Sequence, residues 1–320
     1  MCPPQYLSLE DAQRAILSHL LTEGRGTSPR GVATVESRAL SFTLLSPRHR
    51  CILNRERRWS LPLALGELCW HLSGSTQAEA LTYYAPTWQS FADADGQIRG
   101  SCYGSKVFLS ADGCSPWMRA RNLLQSDRDT RRAVLYFNDA SSHLVPGCRD
   151  AACANSLQFF IREGILDAVV CMRSNDVIWG LPYDVFLFTF LQEMMAANLG
   201  VELGSYHHFA ASLHLYAKHR SLAERILKCE PPTEFRMPPL ENPAGIQTFL
   251  DFERRIRLDI RIDNEQRNLI EECDAYWHDL VQVLRMFRSS KDIGWTATLN
   301  SATDVAPYLP VLESLASQSR

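Results

Sequence analysis

The sequence predicts an α/β (α+β) chain, a mixed sheet packed by helices and followed by a C-terminal helical extension. Three observations carry that reading. Short β-branched and aromatic runs cluster in the middle, at 133–137, 157–161 and 165–172. Residues 183–199 are apolar on nearly every face and stop at Gly200, the pattern of a central helix buried between other layers. After a proline-rich stretch at roughly 231–243, apolar residues recur at helical spacing against charged outer faces.

Taken in order, residues 8–22 have helical spacing at Ala12, Ile16 and Leu20, with Ser8 as N-cap and Asp11 three residues on, close to a capping box. Residues 24–31 form a Gly/Ser/Pro loop that carries Arg25 and Arg30. Residues 60–74 read as a buried helix stopped by Gly74, and Glu67 in its middle is an odd residue to bury. Gly164 is the turn between the second and third strand runs, and 205–216 reads as a further strand around Phe209, Leu213 and Leu215. Two amphipathic helices follow, one on Phe249, Phe252 and Ile256, the other on Leu269, Cys273, Trp277, Leu280 and Leu284. Beyond about residue 300 the chain shows little pattern. The expected division is a main domain over 1–240, with 241–320 as a helical extension packed on it.

Composition narrows the function. With 46% hydrophobic and 22% charged residues, the 320-residue chain is ordinarily globular. A net charge of -3 argues against general affinity for nucleic acid or an anionic membrane, although 33 Lys and Arg leave enough for one local anion site. No run approaches the roughly 18 apolar residues of a membrane span, and the first residues lack the basic flank and apolar core of a signal peptide. Ten cysteines stand without a CxxC pair, so they read as reduced thiols in a cytoplasmic chain, with no metal site expected.

Three segments carry chemistry. The first is Cys153-Ala154-Asn155-Ser156-Leu157-Gln158-Phe159. The second runs from Arg173-Ser174-Asn175-Asp176 through Gly180 to Tyr183-Asp184. The third is His214-Leu215-Tyr216 with His219 behind it. In order and spacing they resemble the thymidylate synthase superfamily. There a cysteine nucleophile precedes Gln-Phe by five residues, an Arg-Ser-x-Asp stretch leads to Pro-Phe/Tyr-Asn, and a His-x-Tyr closes the set. Arg131-Arg132 resemble the family's paired arginines, and Glu67 its catalytic glutamate. Trp88, Ala92, Asp93, Gly96 and Tyr103-Gly104 match the block between. The resemblance covers roughly residues 10–240, making that stretch a thymidylate synthase-like catalytic domain.

The resemblance implies 5,10-methylenetetrahydrofolate as cofactor, a pyrimidine nucleoside monophosphate as substrate, and a homodimer with shared active sites. Pyrimidine C5 is a poor nucleophile, and a thiolate added to C6 turns the ring into an enamine or enolate that can attack an electrophile. Cys153 takes that role, with neighbouring arginines expected to lower its pKa. Arg30, Arg131, Arg132, Arg173 and Ser174 are expected on the 5'-phosphate, which guanidinium forks suit well, the Arg131–Arg132 pair reaching in from the other subunit. Glu67 is expected to manage proton transfer with a raised pKa. Gln158, Asp176, His214 and Tyr216 are expected on base and sugar, the His-x-Tyr spacing putting both rings on one strand face. Trp88, Tyr103, Asp176 and Gly180 are expected to line the folate pocket.

Departures from the family pattern point to the base. The pyrimidine-reading Asn is here Asp184. A carboxylate accepts from cytosine's exocyclic amine, whereas an amide is needed to serve both uracil O4 and N3–H. Asp184 therefore favours cytosine, as in the cytidylate hydroxymethylase branch, with dCMP or CMP as substrate and a 5-hydroxymethyl nucleotide as product. Ala154 in place of the usual His after the nucleophile agrees with a different base edge. Ala211-Ser212 stand where the family has Gly-Asp, and the last residues, Ser317-Gln318-Ser319-Arg320, lack the small apolar end that closes a synthase over folate. Two other readings stay open: a divergent synthase methylating dUMP, and a non-catalytic nucleotide-binding member of the same fold.

Overall fold

Among the described residues eight strands make one mixed sheet, and helices cover one of its faces. The computed structural model describes residues 3–138, 144, 148, 150–263, 268–269, 274–300 and 305–316. Strands β1 (Gln5–Tyr6), β3 (Thr34–Leu44), β8 (Glu202–Tyr216), β6 (Ile165–Met172), β5 (Ala154–Arg162) and β4 (Val134–Tyr136) lie side by side in that order. Short β2 (Arg25–Thr27) pairs with β3, and β7 (Asn175–Asp176) pairs parallel with β8.

The hairpin β5–β6 turns at Glu163 and Gly164, both with positive φ (52° and 81°), the two-residue geometry that matches strand twist. Strand β3 is not foreseen in the sequence. It pairs with β8 from Thr34 opposite Tyr216 to Leu44 opposite Tyr206, yet Ala39 has a φ of 56° and interrupts the ladder. That kink removes the alternation by which a strand is recognised.

The helices follow from their caps. Helix α1 (Leu9–Glu23) starts on Ser8, whose Oγ accepts from Asp11 N, as expected. Helix α2 (Leu61–Ser73) is capped by Ser60 and ends where Gly74 takes a left-handed φ of 66°. Short helices α3 (Ala78–Thr82), α4 (Tyr103–Val107) and α5 (Pro116–Ser126) follow. Helix α6 (Gly180–Leu199) begins three residues before the predicted start and runs to Gly200. It is buried almost throughout, lying on β6 and β8 and touching α2. Leu157, Phe159 and Ile161 of β5 enter that core, while Phe209 of β8 and Tyr136 of β4 keep 36% and 69% of their surface. One sheet face is therefore left without a helical cover at these positions.

Beyond β8, helix α7 (Arg220–Lys228) precedes the C-terminal set, α8 (Ile246–Arg257), α9 (Ala275–Ile293), α10 (Trp295–Asn300) and α11 (Leu309–Ala316). Phe249, Phe252, Ile256, Trp277, Leu280 and Leu284 are buried as expected. Leu269 is not; it is 49% exposed, because the helix carrying Trp277 starts at the Asp274 N-cap and not before Leu269. Cys273 and residues 317–320 lie outside the described residues. The tail is more ordered than its sequence suggests, since α11 buries Val311 and Leu312. Its eight residues are too few for a period to show. Tyr84 Oη donates to Glu253 Oε1 (2.9 Å), and Glu253 also receives Arg257 (2.8 Å), which fastens α8 beside α2.

Candidate active site

The site forms where α2, β7, the segment before β5 and the first turns of α6 converge. Asp184 lies in the second turn of α6, within the helix, so it does not cap it. Asp176 binds the chain ahead of that helix instead, its carboxylate accepting from Ile178 N (3.0 Å) and Trp179 N (3.2 Å). Asn175 Nδ2 donates to Asp184 Oδ2 at 2.7 Å. Burial pushes the Asp184 carboxyl up to about 7; the Asn175 bond opposes this and the charge of Asp176 adds to it. Gly180 leaves room for that pair: a Cβ there would stand 3.1 Å from Asn175 Nδ2 and 3.5 Å from Asp184 Oδ2.

Glu67 enters from α2. Burial, then the Asp184 charge, push its carboxyl up to about 8, against a hydrogen bond from Trp88 Nε1 at 3.2 Å. The raised pKa matches the sequence expectation, and its cause is the apolar helix that carries the residue.

Cys153 has Arg173 beside it, with Nη2 at 3.8 Å from Sγ. The expected low pKa is not found. Burial pushes the Cys153 thiol up to about 11, and Asp184 and Asp150 add to it, outweighing Arg173 and Arg30. The two arginines are not enough because burial is the larger effect. Arg173 Nε and Nη2 donate to Ala152 O and Ala151 O, each at 2.8 Å. These bonds also fix the nucleophile segment, together with Tyr103 Oη, which accepts from Ala154 N (3.3 Å), and Asp150, which accepts from Gly100 N (2.6 Å) and Ser101 N (2.9 Å). Tyr103 itself stacks on His71 with ring centroids 5.2 Å apart.

On β8, His214 and Tyr216 share a face as the spacing predicts, their rings 5.0 Å apart, and Ser174 Oγ lies 3.5 Å from His214 Nδ1. Arg30 projects from the turn Pro29–Gly31 with a left-handed φ of 53°, and its charge acts on both Cys153 and Tyr216. Arg131 and Arg132 are exposed just before β4 and are not gathered into the site by this chain. Neither is Gln158, expected at the base. Strand alternation sends it to the face opposite Leu157 and Phe159, where Nε2 donates to Arg131 O at 2.8 Å.

Three residues were missed by sequence reasoning: Asn175, Asp150 and Arg57. Arg57 is buried, and its guanidinium stacks 4.5 Å from the Trp179 ring centroid and 5.7 Å from that of Tyr183. Its nitrogens face no carboxylate at hydrogen-bond distance among the described residues, and Tyr183 is the polar group closest to them. It stands in a run of charged residues, 55–58, where nothing local separates a buried arginine from solvated ones. Among the described residues no three His, Cys, Asp or Glu side chains form a metal-binding group, and no helix is long and apolar enough to cross a membrane. A cavity of about 500 Å³ lined by Arg48, Glu193 and Arg236 lies toward the far end of α6 and contains none of these site residues.

A sequence profile described as thymidylate synthase matches residues 12–264, most of the chain and every residue of the site. The chain belongs to the thymidylate synthase family. Within the family it is similar to a protein named deoxyuridylate hydroxymethyltransferase from Bacillus phage SP01, 31% identical over 212 residues, 63% of this chain and 55% of that protein. It is also similar to a protein of the same name from Delftia phage PhiW-14, 26% identical over 226 residues, 67% of this chain and 62% of that protein. The chain thus spans rather more than half the length of these relatives. The thymidylate synthase fold is that of the mixed sheet and helices described above.

Proposed function

We propose that this chain transfers a one-carbon unit from 5,10-methylenetetrahydrofolate to C5 of a cytidine 5'-monophosphate, dCMP or CMP, leaving a 5-hydroxymethyl group. The observation that carries the base assignment is Asp184, a carboxyl group where the family has an amide, held by Asn175 and neighboured by Glu67. Cys153 Sγ bonds C6 of the ring as its proton leaves, and the electron pair displaced from the C5–C6 bond makes C5 the nucleophile. Arg173 stabilises the thiolate. With Nε and Nη2 bonded to carbonyls, Nη1 remains for the 5'-phosphate, which Arg30 and Ser174 share in this reading. His214 and Tyr216 hold the sugar. Glu67, protonated below about 8, donates and recovers a proton through water near the base.

The residues present fit the cofactor. Arg57 offers a buried guanidinium with no carboxylate partner beneath exposed Trp179, a pairing suited to an aromatic molecule that carries carboxylates, and Trp88 donates to Glu67. When bound, 5,10-methylenetetrahydrofolate supplies a methylene carbon to C5, which water completes as hydroxymethyl. Homodimerisation is part of the same proposal. Exposed Arg131 and Arg132 flank the uncovered sheet face, from which they could serve a neighbour's phosphate site, and Gln158 steadies Arg131.

The relatives' printed name favours a second reading, with dUMP as the base-bearing substrate and the same product chemistry. A neutral Asp184 could donate to uracil O4, and a carboxyl near 7 is neutral in part. Mass spectra of products from dCMP, CMP, dUMP and UMP with methylenetetrahydrofolate separate the readings. A cytidylate product heavier by CH2O is expected; a uridylate product alone selects the second reading, and a methyl product removes both. The substitution Asp184→Asn is expected to shift the cytidylate-to-uridylate ratio of kcat/KM by about ten- to a hundredfold, the effect of losing a hydrogen bond to a charged partner. An unchanged ratio takes the base assignment away from Asp184.

A further inference from the structure

Asn175 is 2% exposed, and its two amide ends are treated differently. Nδ2 donates to Asp184 Oδ2 at 2.7 Å, while Oδ1 is buried with no partner among the described residues. A half-satisfied buried amide is costly, and an apolar side chain of similar size would avoid the cost. What the other end does must therefore account for it. Turned over, the amide would set Oδ1 against a carboxylate oxygen, two acceptors face to face, unless Asp184 carried a proton. The pair has little freedom to part. The Asn175 backbone is fixed opposite Leu213 in the β7–β8 ladder, and a side chain at Gly180 would press on Asn175 Nδ2 at 3.1 Å.

We propose that Asn175 is a positioning residue that sets base preference: by donating to Asp184 Oδ2 it keeps Asp184 an acceptor and leaves Oδ1 free for the amine at cytosine C4. This rests on the reading of Asp184 as the base-reading residue. An acceptor-only carboxylate attracts a C4 amine and repels a C4 carbonyl. The other groups facing Asp184 all oppose its ionisation or are neutral beside it. They are Asp176 of β7, Glu67 of α2, Tyr103 of α4, Cys153 ahead of β5 and Tyr206 of β8. Among the described residues Asn175 alone donates a hydrogen bond to the carboxylate. Without it Asp184 holds its proton to higher pH and can turn a donor toward a carbonyl, so discrimination falls.

The test compares wild type with Asn175→Asp, which is isosteric but replaces the donor by an acceptor, and with Asn175→Ala. The readout is kcat/KM for cytidylate and uridylate from pH 5.5 to 9. In both variants the cytidylate-to-uridylate ratio is expected to fall by roughly tenfold or more. The acid limb of the cytidylate profile is expected to move up by about one pH unit or more. A ratio and a limb both unchanged in folded variants overturn the role. If wild type prefers uridylate, the cytosine reading fails separately. A limb that still moves upward then keeps Asn175 as the residue tuning Asp184, and one that stays put discards it. Should neither variant fold, carboxyl carbon NMR of wild type bound to CMP decides, since a protonated Asp184 at pH 7 in that complex contradicts the proposal.

Discussion

At the scale of single residues, Cys153 shows how one environment can fix a nucleophile's position while withholding its reactivity. Arg173 clamps the segment through Ala151 O, Ala152 O and its own N–H to Cys153 O (2.8 Å), and burial holds the thiol neutral. The thiolate, not the thiol, attacks. Free enzyme is therefore expected to alkylate slowly with iodoacetamide at pH 7, with the rate at Cys153 rising as pH climbs toward about 11. Peptide mapping of the labelled cysteine checks this, and rapid labelling of Cys153 at neutral pH contradicts it.

At the scale of elements, α2 holds a half-buried carboxylate among apolar residues, and the consequence is a pH-dependent cost. Glu67 has its pKa raised from 4.5 to about 8. The folded state thus holds a proton that the unfolded state releases above its own lower value. Stability from this group is complete below about 4.5 and is lost as pH rises through 8. Glu67→Gln does not titrate, so its Tm is expected to exceed that of wild type at pH 8 and the gap to close toward pH 5, while turnover falls. Thermal scans across that range test it; a gap of constant size would mean that Glu67 does not titrate as buried. The stability gained by removing a functional group is the usual sign of a site strained for chemistry.

At the scale of the whole molecule, the sheet is covered by helices on one face, and Phe209 and Tyr136 remain exposed on strands of that same sheet. Arg131 and Arg132 lie at its edge, away from the site of their own chain. If a second copy completes the phosphate site, mixing Cys153→Ser with a variant lacking both arginines restores one working site per mixed dimer. Activity recovered after verified subunit exchange is the expected result. No recovery would mean that each chain holds its phosphate with Arg30, Arg173 and Ser174 alone.

The sequence by itself determined the fold class, the buried α6 and the caps of α1, because these depend on local periodicity and on single residues such as Ser8 and Gly200. The spacing of Cys153, Arg173, Asp184 and His214 also carried the family pattern, although Gln158, Arg131 and Arg132, expected with them, lie elsewhere in this chain. Only the tertiary structure decided what surrounds them. The kink at Ala39 hid β3, and the short α11 hid a buried tail. The placement of Gln158 on the other face, the neutral state of Cys153, the burial of Arg57 and the bond from Asn175 to Asp184 depend on how the packed segments meet. Burial and hydrogen bonding, which set charge state and donor direction, belong to the packed molecule, and no pattern along the chain encodes them.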